Sequence, residues 1–258
     1  MLLALALENT HLSVGWFEQA QLRAHFTMRT DAPRSEDEYA LAIKQLTEWS
    51  GIAWNAPEGI ILGSVVPSVT PILQNALKKL TDAPLLTVGP GLKTGFPIRL
   101  DDPSQLGADL AANAAGTRAL VGFPTIIADF GSATTLSLLD RDGAYAGCCI
   151  LPGIQMSLDA LHGAELLPEL SVCGAVPTLG KNTADSMRAG VLRGSALAVL
   201  GLASMQKQTL SNNEDIPLIV TGTYAEHVLP YLPKNAQHIP LLTLQGLCTI
   251  YQLNKKRS

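Results

Sequence analysis

Three places in this chain combine residue types that can do chemistry. The first is Asp109, the one acid between Asp102 and Asp129, set in an Ala- and Leu-rich stretch directly after Gly107-Ala108. A carboxylate in apolar surroundings costs free energy unless it is paired or opens onto a cleft. It faces a cleft, or it is a surface position on an amphipathic helix. The second place is Asp129, which ends the apolar run Ile126-Ile127-Ala128 and precedes Gly131-Ser132-Ala133-Thr134. A carboxylate at the end of a buried strand needs a partner or an ion. The Gly-Ser turn can offer backbone N–H groups and hydroxyls to a phosphate, or be an ordinary turn. The third is Gly180-Lys181-Asn182-Thr183, where Asn182 or Thr183 is needed as a helix cap in any case.

The elements that must position these residues follow from pattern. Residues 2–7 form an apolar strand, the turn Glu8-Asn9-Thr10-His11 follows, and strands over 12–17 and 22–26 complete a three-stranded meander. Ser35 with Glu38 makes a capping box for a helix running to Trp49. Residues 59–66 read as a buried strand and 68–80 as a helix with Leu73, Ala76 and Leu80 on one face. After a Gly- and Pro-rich loop over 87–103, Ser104 is expected to cap a helix over about 105–118. Helical signals recur at 183–207, 224–232 and 244–253, and strand signals at 217–220 and 241–244.

Residues 124–147 repeat the N-terminal meander, with strands at 126–130, 136–139 and 144–150 around the turn Asp140-Arg141-Asp142-Gly143. Superposing the two repeats sets Ala6 opposite Asp129 and Glu8 opposite Gly131. The duplication implies an α/β chain of two domains, residues 1–120 and 121–258, touching without a low-complexity linker and holding a ligand in the cleft between them.

Composition excludes several classes. Across 258 residues, hydrophobic side chains make up 47% and charged ones 16%, enough apolar material for real cores. A net charge of −4 leaves no broad electrostatic footprint for nucleic acid. The basic run Lys255-Lys256-Arg257 reads as a solvated tail. The four cysteines lack C-x-x-C spacing and the five histidines are scattered, so reduced thiols and a cytoplasmic setting are expected. The opening Met-Leu-Leu-Ala-Leu-Ala-Leu stops at Glu8 and is read as a strand rather than a signal core. No apolar run is expected to span a membrane.

Taken in order, a set of segments resembles the type III pantothenate kinases across nearly the whole chain. These are Asn9-Thr10, Ser64-Val65-Val66-Pro67, Lys93-Thr94-Gly95, Gly107-Ala108-Asp109 and Asp129 to Thr135. Beyond them come Asp142-Gly143 with Gly147, Pro152-Gly153, Gly180 to Thr183 with Ser186-Met187 and Gly190, and Thr221-Gly222. The resemblance implies two RNase H-like domains of the actin and sugar-kinase type, a homodimer, and transfer of the ATP γ-phosphoryl group to pantothenate. It implies Asp109 as general base and Gly107, Ala108, Leu110 and Thr183 at a pantothenate-like substrate. Asn9, Thr10, Gly131, Ser132, Thr134 and Gly222 fall at the nucleotide, and Asp129 at a monovalent cation.

Against that pattern four positions are degraded. The family's Asp-x-Gly-Asn-Thr reads Ala6-Leu7-Glu8-Asn9-Thr10 here, an Arg after the base is replaced by Leu110, and Thr223 replaces the second of two glycines. Cys148-Cys149 similarly replaces small residues after Gly147. An active member would use ATP with Mg2+ and K+, whereas a pseudokinase acting as a ligand sensor or through a regulatory protein partner needs no cofactor. Direct nucleic-acid binding and a membrane partner are not expected.

Overall fold

The computed structural model describes residues 1–30, 33–55, 57–210 and 216–255; Lys256 and Arg257 of the basic run lie outside them. In chain order the elements are β1 (Leu2–Leu7), β2 (His11–Glu18), β3 (Gln21–Arg29), α1 (Glu36–Trp49), β4 (Gly59–Ser64), α2 (Thr70–Leu80), β5 (Leu85–Thr87) and α3 (Ala108–Leu120). Then come β6 (Thr125–Phe130), β7 (Ala133–Leu139), β8 (Tyr145–Pro152), α4 (Ile154–His162), α5 (Thr183–Thr209), β9 (Leu218–Thr221), α6 (Ala225–Val228), β10 (Gln237–His238) and α7 (Leu242–Asn254).

The chain divides into two compact units, residues 1–120 with 242–258, and residues 121–241. Each holds one five-stranded mixed sheet. The orders are β3-β2-β1-β4-β5 and β8-β7-β6-β9-β10, the same path traced twice. In each, an antiparallel meander is extended by two parallel strands. The expectation that residues 242–258 belong to the second domain is corrected: α7 packs on α3, β1 and β4 of the first unit. The strand expected at 241–244 is the first turn of α7, a helix buried on most sides over Leu242 to Ile250 by α3 and the sheet. A short apolar run does not distinguish the two states.

Local chemistry accounts for most boundaries. Ser35 and Glu38 form the capping box of α1, with Ser35 N donating to Glu38 Oε2 at 2.7 Å. Inside the first core, Trp16 Nε1 donates to Thr47 Oγ1 at 3.0 Å, and Thr47 Oγ1 donates to Ile43 O at 2.8 Å. Neither side chain is exposed. Ser104 does not start α3: Asp102 caps a 3-10 turn over Pro103–Gln105, accepting from Ser104 N at 2.9 Å, and the helix begins only at Ala108. Helices α3 and α7 meet backbone to backbone. A Cβ on Gly116 would come within 2.9 Å of Leu242 O, and one on Gly246 would overlap the Ala112 carbonyl.

Helix α5 is 27 residues long, with a mean hydropathy of 1.2 over an 18-residue window, long and apolar enough to cross a membrane on those criteria. The expectation of no such segment is corrected to that extent. Its Met187, Leu192, Ala196 and Val199 are buried in the second unit's core with Ile126, Phe130 and Leu136.

Candidate functional site

In the first unit, the C-terminal ends of the parallel pair β1 and β4 meet the N-terminus of α3. Ala6, Glu8, Ser64, Asp109 and Thr243 line one narrow notch there. Ala6 is buried, sits beside Gly63 of β4 and opposite Ser13 of β2, and brings only a methyl group. Glu8 N donates to His11 O at 2.8 Å, closing the turn whose tip is the exposed pair Asn9 and Thr10. Thr10 Oγ1 lies 2.8 Å from His11 Nδ1, and Asn9 O accepts from Thr30 Oγ1 at 3.2 Å.

Asp109 Oδ1 accepts from Leu110 N at 2.8 Å. Burial pushes the Asp109 carboxyl above its usual range, against the lowering effect of these amides. Gly107 allows this carboxylate to fold back on the chain, since a Cβ there would lie 2.6 Å from Oδ1. Ser64 is tied into its own turn through Thr70 Oγ1 (2.6 Å) and Val66 N (3.1 Å), which gives Ser64-Val65-Val66-Pro67 a structural role.

The long loop after β5 walls a cavity of about 410 Å3 bordered by Val88, Leu92, Thr94, Ile98, Asp102 and Leu106. Lys93-Thr94-Gly95 and the stretch leading to Gly107 are thereby brought to one place. The lining is mostly aliphatic with a few polar groups, as small-molecule sites usually are.

In the second unit, Asp129 is the fifth residue of β6 as Ala6 is of β1, so the repeat equates them structurally. Asp129 pairs with Thr135 of β7 and Thr221 of β9. Residues paired directly across a ladder share a face, so these two threonines are the hydroxyls beside Asp129. Thr134 pairs instead with Phe130 and lies on the opposite face, where its buried Oγ1 has no hydrogen-bond partner. The expected phosphate contact from Thr134 is therefore displaced to the other side of the sheet. Alternation along β7 was the available signal for Thr135.

Gly222 has φ +99° and lies against Asp129 Oδ1 and the Phe130 backbone, leaving no room for a side chain. Gly131 is more open, with Asp129 Oδ1 at 3.4 Å from a Cβ position. Gly153 packs on the Ser132 carbonyl and fixes the Gly131-Ser132 turn from behind. Thr223 is exposed, and Tyr224 N donates to Phe130 O at 2.9 Å.

At α5, Asn182 is the cap, its Oδ1 accepting from Asp185 N at 2.9 Å. Thr183 is exposed and free of the capping role, and Gly180 packs against the backbone and hydroxyl of Ser186. Cys148, Cys149, Cys173 and Cys248 are all free thiols, and burial pushes Cys248 up to about 11.

The donor set bears on metal binding. Ala6 supplies no oxygen in the first unit, and among the described residues no three His, Cys, Asp or Glu side chains converge to hold a metal ion. At the end of β1, where Ala6 contributes only a methyl, Glu8 and Asp109 are the carboxylates of the notch that could meet a magnesium ion held with substrate phosphates. The Asp129 turn, with its open glycine and adjacent hydroxyls, does fit a phosphate or a monovalent cation.

Comparison with known proteins agrees with this architecture. Among solved structures, the chain is similar to a conserved putative Baf family transcriptional activator from Campylobacter jejuni, at 19% identity and TM-score 0.59, covering 98% of both chains. It is also similar to component A of the Acidaminococcus fermentans (R)-2-hydroxyglutaryl-CoA dehydratase, at 12% identity and TM-score 0.57, with 98% of each covered. The activator of the 2-hydroxyisocaproyl-CoA dehydratase from Clostridium difficile, solved with ADPNP, matches at 10% identity and TM-score 0.53 over 99% of this chain and 98% of that one. These likenesses establish the actin-like fold. The model of type III pantothenate kinases matches residues 2–205; on that span, the chain belongs to the type III pantothenate kinase family.

Proposed function

We propose that this chain is a pantothenate-binding member of its family whose phosphoryl transfer from ATP is strongly impaired, and which acts as a ligand-binding or regulatory protein. The observation that carries the proposal is the register of the two repeats. The position that holds Asp129 in the second sheet holds the buried methyl of Ala6 in the first, and Glu8 stands where the second repeat has Gly131. Two like charges a few ångströms apart repel by about 1–4 kcal/mol at water-to-surface dielectrics. A lost transition-state electrostatic contact costs about 3 kcal/mol. At about 1.4 kcal/mol per decade, the two together remove roughly three to five orders of magnitude in rate.

The substrate side is better kept. Asp109 would act as the base from the notch, Gly107 and Ala108 lead into it, and the cavity bordered by Thr94 and Leu106 would take a small branched molecule with one polar end. Leu110 supplies no cation there. The Asp129 turn would hold the monovalent cation and the Gly131–Ser132 amides a phosphate.

A homodimer joined through the second unit accounts for a further feature. Exposed Leu161 lines an apolar cavity of about 570 Å3 between α4, α5 and β8, and Ile150, Met156 and Leu197 are exposed on those same elements. A coupled assay with ATP, magnesium, potassium and pantothenate tests the proposal. Turnover near 1 per second, ordinary for enzymes, would establish the alternative of an active kinase.

A further inference from the structure

The last turn of α7 grips the loop that walls the first unit's cavity. Asn254 Oδ1 accepts from Lys93 N at 3.0 Å, and Asn254 Nδ2 donates to Lys93 O at 2.8 Å and to Ile250 O of its own helix at 2.8 Å. One side-chain amide thus satisfies both backbone groups of a residue 161 positions away, which an irregular loop must otherwise leave to water. One residue earlier, Leu253 reaches Gly95, whose φ is +90° and where a Cβ would come 2.8 Å from Leu253 Cδ1. Lys93 lies between Leu92 and Thr94, both of which border the cavity. The span matched by the family model ends at residue 205, well before α7.

We propose that Asn254 is a positioning residue for the loop over 88–95, setting Leu92 and Thr94 at the cavity wall so that ligand affinity depends on the C-terminal helix. The ligand part rests on the reading that pantothenate occupies this cavity; the clasp itself does not. Leu92 N donates to Gly89 O at 3.2 Å, Val88 N to Leu62 O at 2.8 Å and Thr94 Oγ1 to Phe96 O at 3.2 Å, so between the anchor at Val88 and the Leu253 contact at Gly95 it is Asn254 that ties the loop backbone to α7. Asn254 lies in the exposed last turn of α7, beyond the buried residues Leu242 to Ile250, so its truncation leaves the α3–α7 packing in place.

Hydrogen exchange read by mass spectrometry, with calorimetric titration of pantothenate, tests this on wild type, Asn254→Ala and Asn254→Asp. In Asn254→Ala, exchange in a peptide spanning 88–98 rises about tenfold, the order expected from losing one or two net hydrogen bonds. Peptides from β1 and α1 stay unchanged, and pantothenate binds about tenfold more weakly. Asn254→Asp keeps the acceptor for Lys93 N, loses the donor to Lys93 O, and falls between the two. Unchanged loop exchange, or a uniform rise across the first unit, overturns the positioning role. So does a loosened loop with pantothenate affinity intact. A wild type that binds no pantothenate refutes the ligand assignment instead, and the exchange comparison alone then decides the clasp.

Discussion

Restoring the first repeat to the pattern of the second should restore chemistry. The perturbation is Ala6→Asp with Glu8→Gly. In the structure the Ala6 methyl faces the notch that Glu8 and Asp109 share, so a carboxylate at position 6 would lie where its counterpart Asp129 lies in the second sheet. Removing Glu8 relieves about 1–4 kcal/mol of repulsion toward a polyphosphate. The new carboxylate supplies a cation contact worth about 3 kcal/mol. The double variant should therefore raise ADP release by about 10³-fold or more, and each single variant by less. A coupled ADP-release assay with ATP, magnesium, potassium and pantothenate reads this directly. A double variant that folds, binds pantothenate and still shows no gain would refute the electrostatic reasoning.

Other expectations follow from the packing. Thr47→Val strands the buried Trp16 indole N–H and should cost about 1–3 kcal/mol in denaturant unfolding. Gly222→Ala places a side chain against Asp129 and Phe130 at φ +99°. A stability loss of about 1–3 kcal/mol is expected for a non-glycine residue held there, measured by thermal melting. Asp109 has a folded pKa raised by burial, so its protonated form favours folding. That contribution is complete below the unfolded carboxyl pKa and is lost as pH rises through the raised folded value. Asp109→Asn should therefore melt higher than wild type near neutral pH, with the gap closing in acid; a gap independent of pH would contradict the assignment.

Much of the fold could be read from residue order because local signals agreed with tertiary demand. The Ser35–Glu38 box, the two meanders and the long helix from Thr183 are set by caps, alternation and turn residues acting within a few positions. The failures have a common cause. Leu241 to Leu244 is too short for its period to distinguish strand from helix, and only packing on α3 settles it. Asp102 outcompeted Ser104 as a cap because its carboxylate reaches two donors of the same turn. In the candidate site, Asp109 was legible as a lone acid in an apolar stretch. That Glu8 shares its notch, and that Asn254 holds Lys93, depend on contacts across more than 100 residues and leave no local trace. Thr135 was within reach of simple alternation, since Asp129 and Thr135 face one another across a hairpin.

On the proposed reading, the first repeat has lost its grip on triphosphate while the pantothenate side survives. Isothermal titration of the wild-type protein with pantothenate and, separately, with ATP and magnesium tests it most directly. Saturable pantothenate binding without nucleotide, and no heat from ATP with magnesium up to millimolar concentration, is the expected result. Micromolar binding of magnesium ATP would show that Ala6 and Glu8 leave the nucleotide site intact.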